Sequence, residues 1–157
     1  MPGSGKSTVG KLLAKKLEIG FCDTDDLITK STGEKLQDTL DKRGRDGFLD
    51  KERRTLLELN PESPIVISTG GSAVLHEDAM LHLKEIGTIV FLDADLPLIR
   101  KRLWNVDTRG IVFNGNDEDV LGVYKEREPL YYKYADIRVH IKSKRANEIV
   151  NEICKRL

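Results

Sequence analysis

The chain has 157 residues, enough for one domain with a sizeable core. Its 26 Lys and Arg are balanced by 26 Asp and Glu, so it lacks the cationic excess of a general nucleic-acid binder. No apolar run reaches the length of a membrane span, no leader pattern precedes the first motif, and Cys22 and Cys154 lack metal-ligand spacing; a reduced, cytoplasmic protein is expected.

The first eight residues, Met-Pro-Gly-Ser-Gly-Lys-Ser-Thr, read as a phosphate-binding loop. Gly3 and Gly5 let backbone N–H groups turn inward around an anion, flanking Ser4; Lys6 reaches the outer phosphates, and the Ser7 hydroxyl is placed to ligate Mg²⁺, with Thr8 beside it. Val9, Leu12, Leu13 and Leu17 follow at helical spacing, so the loop opens a helix whose N-terminus adds to the anion site. The full loop pattern also asks for a glycine and a buried strand ahead of Met1, and a first strand is expected there.

Residues 19–23 are a short apolar run ending in acids, and a new helix begins at Thr24 and breaks at Gly33. Residues 34–42 and 48–59 read as two helices separated by a turn at Gly44 and Gly47. After the linker at 60–64, the β-branched run 65–68 predicts a strand buried on both faces, followed by Gly70-Gly71. A helix over 77–86, a strand over 88–92 and a helix over 95–104 come next. Residues 105–116, Gly- and Asn-rich, are too long for a routine turn and predict a lid. A helix over 117–134, a strand over 137–141 and a helix over 145–157 close the chain. Strands alternating with helices predict a single α/β domain with a parallel sheet of about five strands, the first ahead of Met1, covered by helices on both faces.

In such a sheet the site lies beyond the carboxyl ends of the strands. Asp23 and Asp25, Gly70-Gly71-Ser72, and Asp93 fall there. One of the paired carboxylates can serve a metal while the other meets a substrate hydroxyl; a helix-capping Asp beside a solvated one is the alternative. Arg102, Arg109 and Arg127 lie on or beside the lid, where guanidinium groups would neutralise phosphoryl charge or simply face solvent. His76, His82 and His140 are scattered and read as surface or packing residues.

In this order, the motifs Gly3 to Thr8, Phe21-Cys-Asp-Thr-Asp25, Gly44 to Glu52, Thr69-Gly-Gly71, Arg109 and Arg127-Glu-Pro-Leu-Tyr131 resemble the shikimate kinase family across essentially the whole chain. The resemblance implies a three-layer P-loop kinase fold and transfer of the γ-phosphoryl group of ATP, with Mg²⁺, to shikimate, giving shikimate 3-phosphate. It implies that Lys6 holds the transferring phosphate, that Ser7 and Asp23 serve Mg²⁺, and that Asp25 binds the substrate hydroxyls and orients the nucleophile. Gly70 and Gly71 would approach the substrate ring, Arg109 the phosphate, Arg102 the adenine and Arg127 the substrate carboxylate. The family places a carboxylate-binding Arg after the Phe of the 44–52 segment, where this chain has Leu49; its third glycine is Ser72, and its lid Arg-Pro is Arg109-Gly110. Arg53, one helical turn beyond Leu49, is expected to supply the missing charge. The alternatives are a same-fold kinase for a hydroxylated metabolite without a carboxylate, which Leu49 favours, and a non-catalytic nucleotide- or metabolite-binding regulator. The protein is expected to be a monomer without nucleic-acid or membrane partners.

Overall fold

A computed structural model of the chain describes residues 1–103, 117–142 and 144–157, so the expected lid and its Arg109 lie outside the described residues. The elements are α1 (Lys6–Leu17), β1 (Gly20–Asp23), α2 (Thr24–Thr32), α3 (Leu36–Leu57), β2 (Ile65–Ser68), α4 (Glu77–Ile86), β3 (Val90–Asp93), α5 (Leu96–Leu103), α6 (Asp117–Tyr134), β4 (Ile137–His140) and α7 (Ala146–Cys154). A single 3₁₀ turn, Ala73–Leu75, precedes α4.

All strand pairing is parallel. β1 pairs with β2 from Gly20 opposite Ile65 to Asp23 opposite Ser68, and β3 pairs with β4 from Val90 opposite Ile137 to Asp93 opposite His140. The described strands thus form two pairs rather than one continuous sheet. A cavity of about 620 Å³ borders both pairs, lined among others by Leu13 of α1, Val66 and Ile67 of β2, and Val90 and Leu92 of β3. This corrects the expectation for 65–68: Ile65, Val66 and Ile67 are half-buried, because they border that cavity instead of a packed neighbour. β4 alternates instead, Ile137 and Val139 inward and Arg138 and His140 outward, the pattern of a strand with one wet face.

The core forms where the amphipathic faces converge. Val9 and Leu13 of α1, Ala79, Met80 and Leu83 of α4, and Ile149, Val150 and Ile153 of α7 pack with Phe91 and Leu92 of β3 and Val139 of β4. Tyr131 of α6 stacks on Phe91 with ring centroids 5.1 Å apart, which fixes the inner face of α6 over the second strand pair. The two helices expected over 34–59 are both present: α3 runs as one element but is broken at Gly44, whose backbone is non-helical (φ 67°, ψ 178°), so the turn is a single-residue kink.

Candidate active site

Helix α1 starts at Lys6 because Gly5 at its N-cap takes a left-handed conformation (φ 93°), with Gly3 at φ 72° two residues earlier. Non-glycine residues rarely adopt these angles, and they curl the backbone N–H groups toward one point. Arg102 of α5 locks this curl from outside: its Nη1 donates to the carbonyls of Gly3 at 2.9 Å and Ser4 at 3.1 Å. Lys6 Nζ donates to Met1 O at 2.8 Å, closing the loop across its mouth. Burial lowers the Lys6 pKa, opposed by the nearby charges of Asp25, Asp23 and Glu52.

Asp23 ends β1 and is also the N-cap of α2, which is the capping alternative of the sequence reading. Its Oδ1 accepts from the Asp25 backbone N–H at 3.1 Å, while its Oδ2 accepts from Ser7 Oγ at 2.7 Å. Two hard oxygen donors therefore meet beside the phosphate loop, the donor set that suits Mg²⁺ completed by phosphate oxygens and water. Asp25, in the first turn of α2, carries a pKa raised from 3.8 to about 6, chiefly through burial and then through the charge of Asp23, with Lys6 pulling the other way.

Gly70 and Gly71 leave the end of β2 and turn between the two halves of the site. A Cβ on Gly70 would lie 2.1 Å from Glu52 Oε1 and 3.3 Å from Asp25 Oδ1; one on Gly71 would lie 2.8 Å from Cδ of Pro2. At Gly71 the Pro2 ring leaves no room for a Cβ, while at Gly70 the Glu52 carboxylate would have to move aside. The turn is held by two hydrogen bonds that the sequence did not announce: Gly70 N–H to Thr24 Oγ1 at 3.1 Å, and Tyr131 O–H to Gly71 O at 2.6 Å. Beneath Gly70 lies Glu52, 1% exposed, whose Oε2 meets His76 Nε2 at 3.1 Å. His76 is thus a buried partner of a carboxylate in the site, not the ordinary packing residue expected. Across from them Arg127 of α6 is 2% exposed, and its Nε and Nη2 have no hydrogen-bond partner among the described residues. Unsatisfied buried guanidinium nitrogens are rare and point to an anionic ligand.

Gly3, Ser4, Gly5, Lys6, Ser7, Thr8, Asp23, Asp25, Gly70, Gly71, Arg102 and Arg127 therefore all border one cavity of about 910 Å³. Phe48, Glu52, Ser72, Lys101 and Lys144 share its wall. Arg53 does not. It pairs with Asp78 of α4, through Nε to Oδ1 at 3.1 Å and Nη2 to Oδ2, so it is not placed to replace a guanidinium at Leu49. On α3 the cavity is faced by Phe48 and Glu52, four apart, and the stripe one residue further on, Leu49 and Arg53, is turned aside. Asp93 is committed elsewhere too: its Oδ2 accepts from Arg138 and from His140 Nδ1 at 3.0 Å, tying β3 to β4.

A left-handed glycine loop opening a helix, a lysine at its mouth, and paired oxygen donors beyond the strand ends define a P-loop phosphotransferase. The sequence model of the family described as shikimate kinase matches residues 2–157. The chain is 37% identical to the shikimate kinase of Persephonella marina over 99% of its own length and 93% of that protein, and 37% identical to that of Chromohalobacter salexigens over 98% and 86%. Among solved structures, it resembles shikimate kinase from Acinetobacter baumannii in complex with shikimate (TM-score 0.90, 27% identity, 98% of this chain and 87% of that one). It also resembles shikimate kinase from Aquifex aeolicus (TM-score 0.83, 32% identity, 99% and 90%). The chain belongs to the shikimate kinase family, and it is a kinase.

Proposed function

We propose that this enzyme transfers the γ-phosphoryl group of ATP to a ring hydroxyl of shikimate, giving shikimate 3-phosphate and ADP. The observation that carries the acceptor is Arg127, a buried guanidinium with two unpartnered nitrogens on the same cavity as Lys6 and Asp25. A small hydroxylated carboxylate satisfies it through a charge-assisted pair while presenting hydroxyls to Asp25. An acceptor lacking a carboxylate leaves Arg127 orphaned, and Leu49 does not border the cavity, so the case that Leu49 made for such an acceptor weakens.

The roles follow from the contacts. Asp25, ionised above about pH 6, accepts the hydrogen of the attacking hydroxyl and holds its oxygen toward phosphorus. That oxygen bonds to the γ-phosphorus as the bond to the β–γ bridging oxygen breaks, and ADP leaves with the electron pair. Lys6 exchanges its contact with Met1 O for the transferring phosphate, and the loop N–H groups hold the inner phosphates. Ser7 and Asp23 are the residues that fit Mg²⁺, which supplies charge neutralisation when bound. Arg109 is proposed to reach the phosphate from residues 105–116, and Arg102 to lie beside the adenine while bracing the loop. Among the described residues no helix is long and apolar enough to cross a membrane, and Cys22 and Cys154 are free thiols; a monomeric, cytoplasmic enzyme is part of the proposal.

A coupled ADP-release assay with MgATP and a panel of shikimate, quinate, gluconate, homoserine and nucleoside monophosphates tests this. Saturable turnover with shikimate at the lowest KM is expected. Turnover confined to an acceptor without a carboxylate overturns the assignment, and nucleotide binding without turnover on any acceptor points to the regulator instead.

A further inference from the structure

Two oppositely charged groups share the acceptor cavity without pairing. Glu52, 1% exposed, and Arg127, 2% exposed, both border it, and both act electrostatically on Lys6 and on the Tyr131 hydroxyl. A buried carboxylate favours a charged donor, and Arg127, on the same cavity, carries two nitrogens without a hydrogen-bond partner among the described residues. Glu52 nevertheless spends its Oε2 on His76, a residue outside the cavity wall at the N-cap of α4, while its Oε1 is pressed under Gly70. His76 Nε2 faces Glu52 Oε2 at 3.1 Å, and the tautomer with its hydrogen on Nε2 makes the imidazole the donor.

We infer that His76 is a positioning residue for the acceptor: it tethers Glu52 and so keeps the Arg127 guanidinium available to a substrate carboxylate. The other charged or titratable groups around Glu52 and Arg127 are Lys6, Asp25, Tyr131, the Met1 amino group and the half-exposed Glu126, whose Oε2 lies 3.9 Å from Arg127 Nε, beyond hydrogen-bond distance; none of them makes a hydrogen bond to Glu52 among the described residues. Releasing the tether lets Glu52 swing onto Arg127 and occupy internally the place of the substrate's carboxylate. The inference rests on the acceptor reading above, and its two tests separate the two ideas.

The first is kinetic. His76→Ala should raise the shikimate KM at least tenfold with the ATP KM unchanged within twofold. His76→Gln, which restores a donor, should recover most of the loss. In His76→Ala/Glu52→Gln the freed side chain no longer carries a charge, so KM should return to within threefold of Glu52→Gln alone. A purely structural role for His76 gives no such rescue, and equal KM values for His76→Ala and the double variant overturn the inference. The second test needs no acceptor. The Arg127 Nε–H signal, assigned with Arg127→Lys by ¹⁵N NMR, should lack the downfield proton shift of a carboxylate-bonded guanidinium in the wild type. It should gain that shift in His76→Ala and lose it again in the double variant. An unchanged signal in His76→Ala overturns the tether whatever the substrate. If His76→Ala does not fold, His76→Leu fills the site without a donor and serves in its place. A wild type that ignores shikimate while the NMR changes appear refutes the acceptor and leaves the tether standing.

Discussion

Asp25→Asn should make this enzyme more stable and nearly inactive, with the stability gain appearing only as pH rises. In the folded chain the Asp25 carboxyl titrates at about 6 instead of 3.8, because burial and the neighbouring Asp23 oppose its charge. Below pH 3.8 the group is neutral folded or unfolded and contributes nothing. Between 3.8 and about 6 the folded state holds more protons, so stability falls as pH rises, and above about 6 the full penalty is present. At 1.36 kcal/mol per pH unit that penalty is about 3 kcal/mol as an upper figure. Water in the cavity screens part of it, leaving about 2 kcal/mol, or a Tm gain of roughly 4–8 °C for a chain of this length. Thermal unfolding of the nucleotide-free wild type and Asp25→Asn at pH 4.5, 6 and 8 should show a difference that opens across the series. The same substitution should lower kcat by about 10²–10⁴, the usual contribution of a positioned general base. For the wild type, kcat/KM should decline as pH drops through about 6. A variant less stable than the wild type at pH 8, or a gain independent of pH, refutes the reasoning.

Other outcomes follow from the same geometry. Arg127→Met removes the charge-assisted contact to the acceptor and should raise the shikimate KM about ten- to a hundredfold, equivalent to roughly 1.5–3 kcal/mol, with the ATP KM unchanged; initial-rate kinetics with each substrate varied in turn check this. Gly71→Ala drives a methyl into Pro2 at 2.8 Å and should cost about 1–3 kcal/mol by urea unfolding while lowering kcat, since the phosphate loop must shift to accommodate it. Arg53→Ala breaks only an exposed pair with Asp78, so the acceptor KM should stay within twofold; a large rise would place Arg53 in the site after all.

The features legible in the sequence were those whose signals are local. Gly3 and Gly5 announced the loop, Asp23 its dual place between strand and helix, and the run 117–134 a helix whose end at Tyr134 the structure reproduces. What stayed hidden is carried by pairs distant along the chain. Glu52 with His76, Thr24 with Gly70, and Tyr131 with Gly71 are 24, 46 and 60 positions apart, and no spacing rule links them. Arg53 shows the opposite error: helical spacing put it on the stripe of Leu49, but spacing cannot tell which stripe faces the site, and the packing of α3 against α4 chose Phe48 and Glu52.

The contact between Gly71 and Pro2 has an evolutionary corollary. The residue that shapes the acceptor side and the residue that leads the nucleotide loop touch with no room for a methyl between them, so the two half-sites are not separate modules. A lineage or an engineer seeking a new acceptor cannot enlarge residue 71 without also altering the loop that grips ATP. Substrate range in this enzyme should therefore diversify through the wall contributed by α3, around Phe48, with the junction itself held fixed.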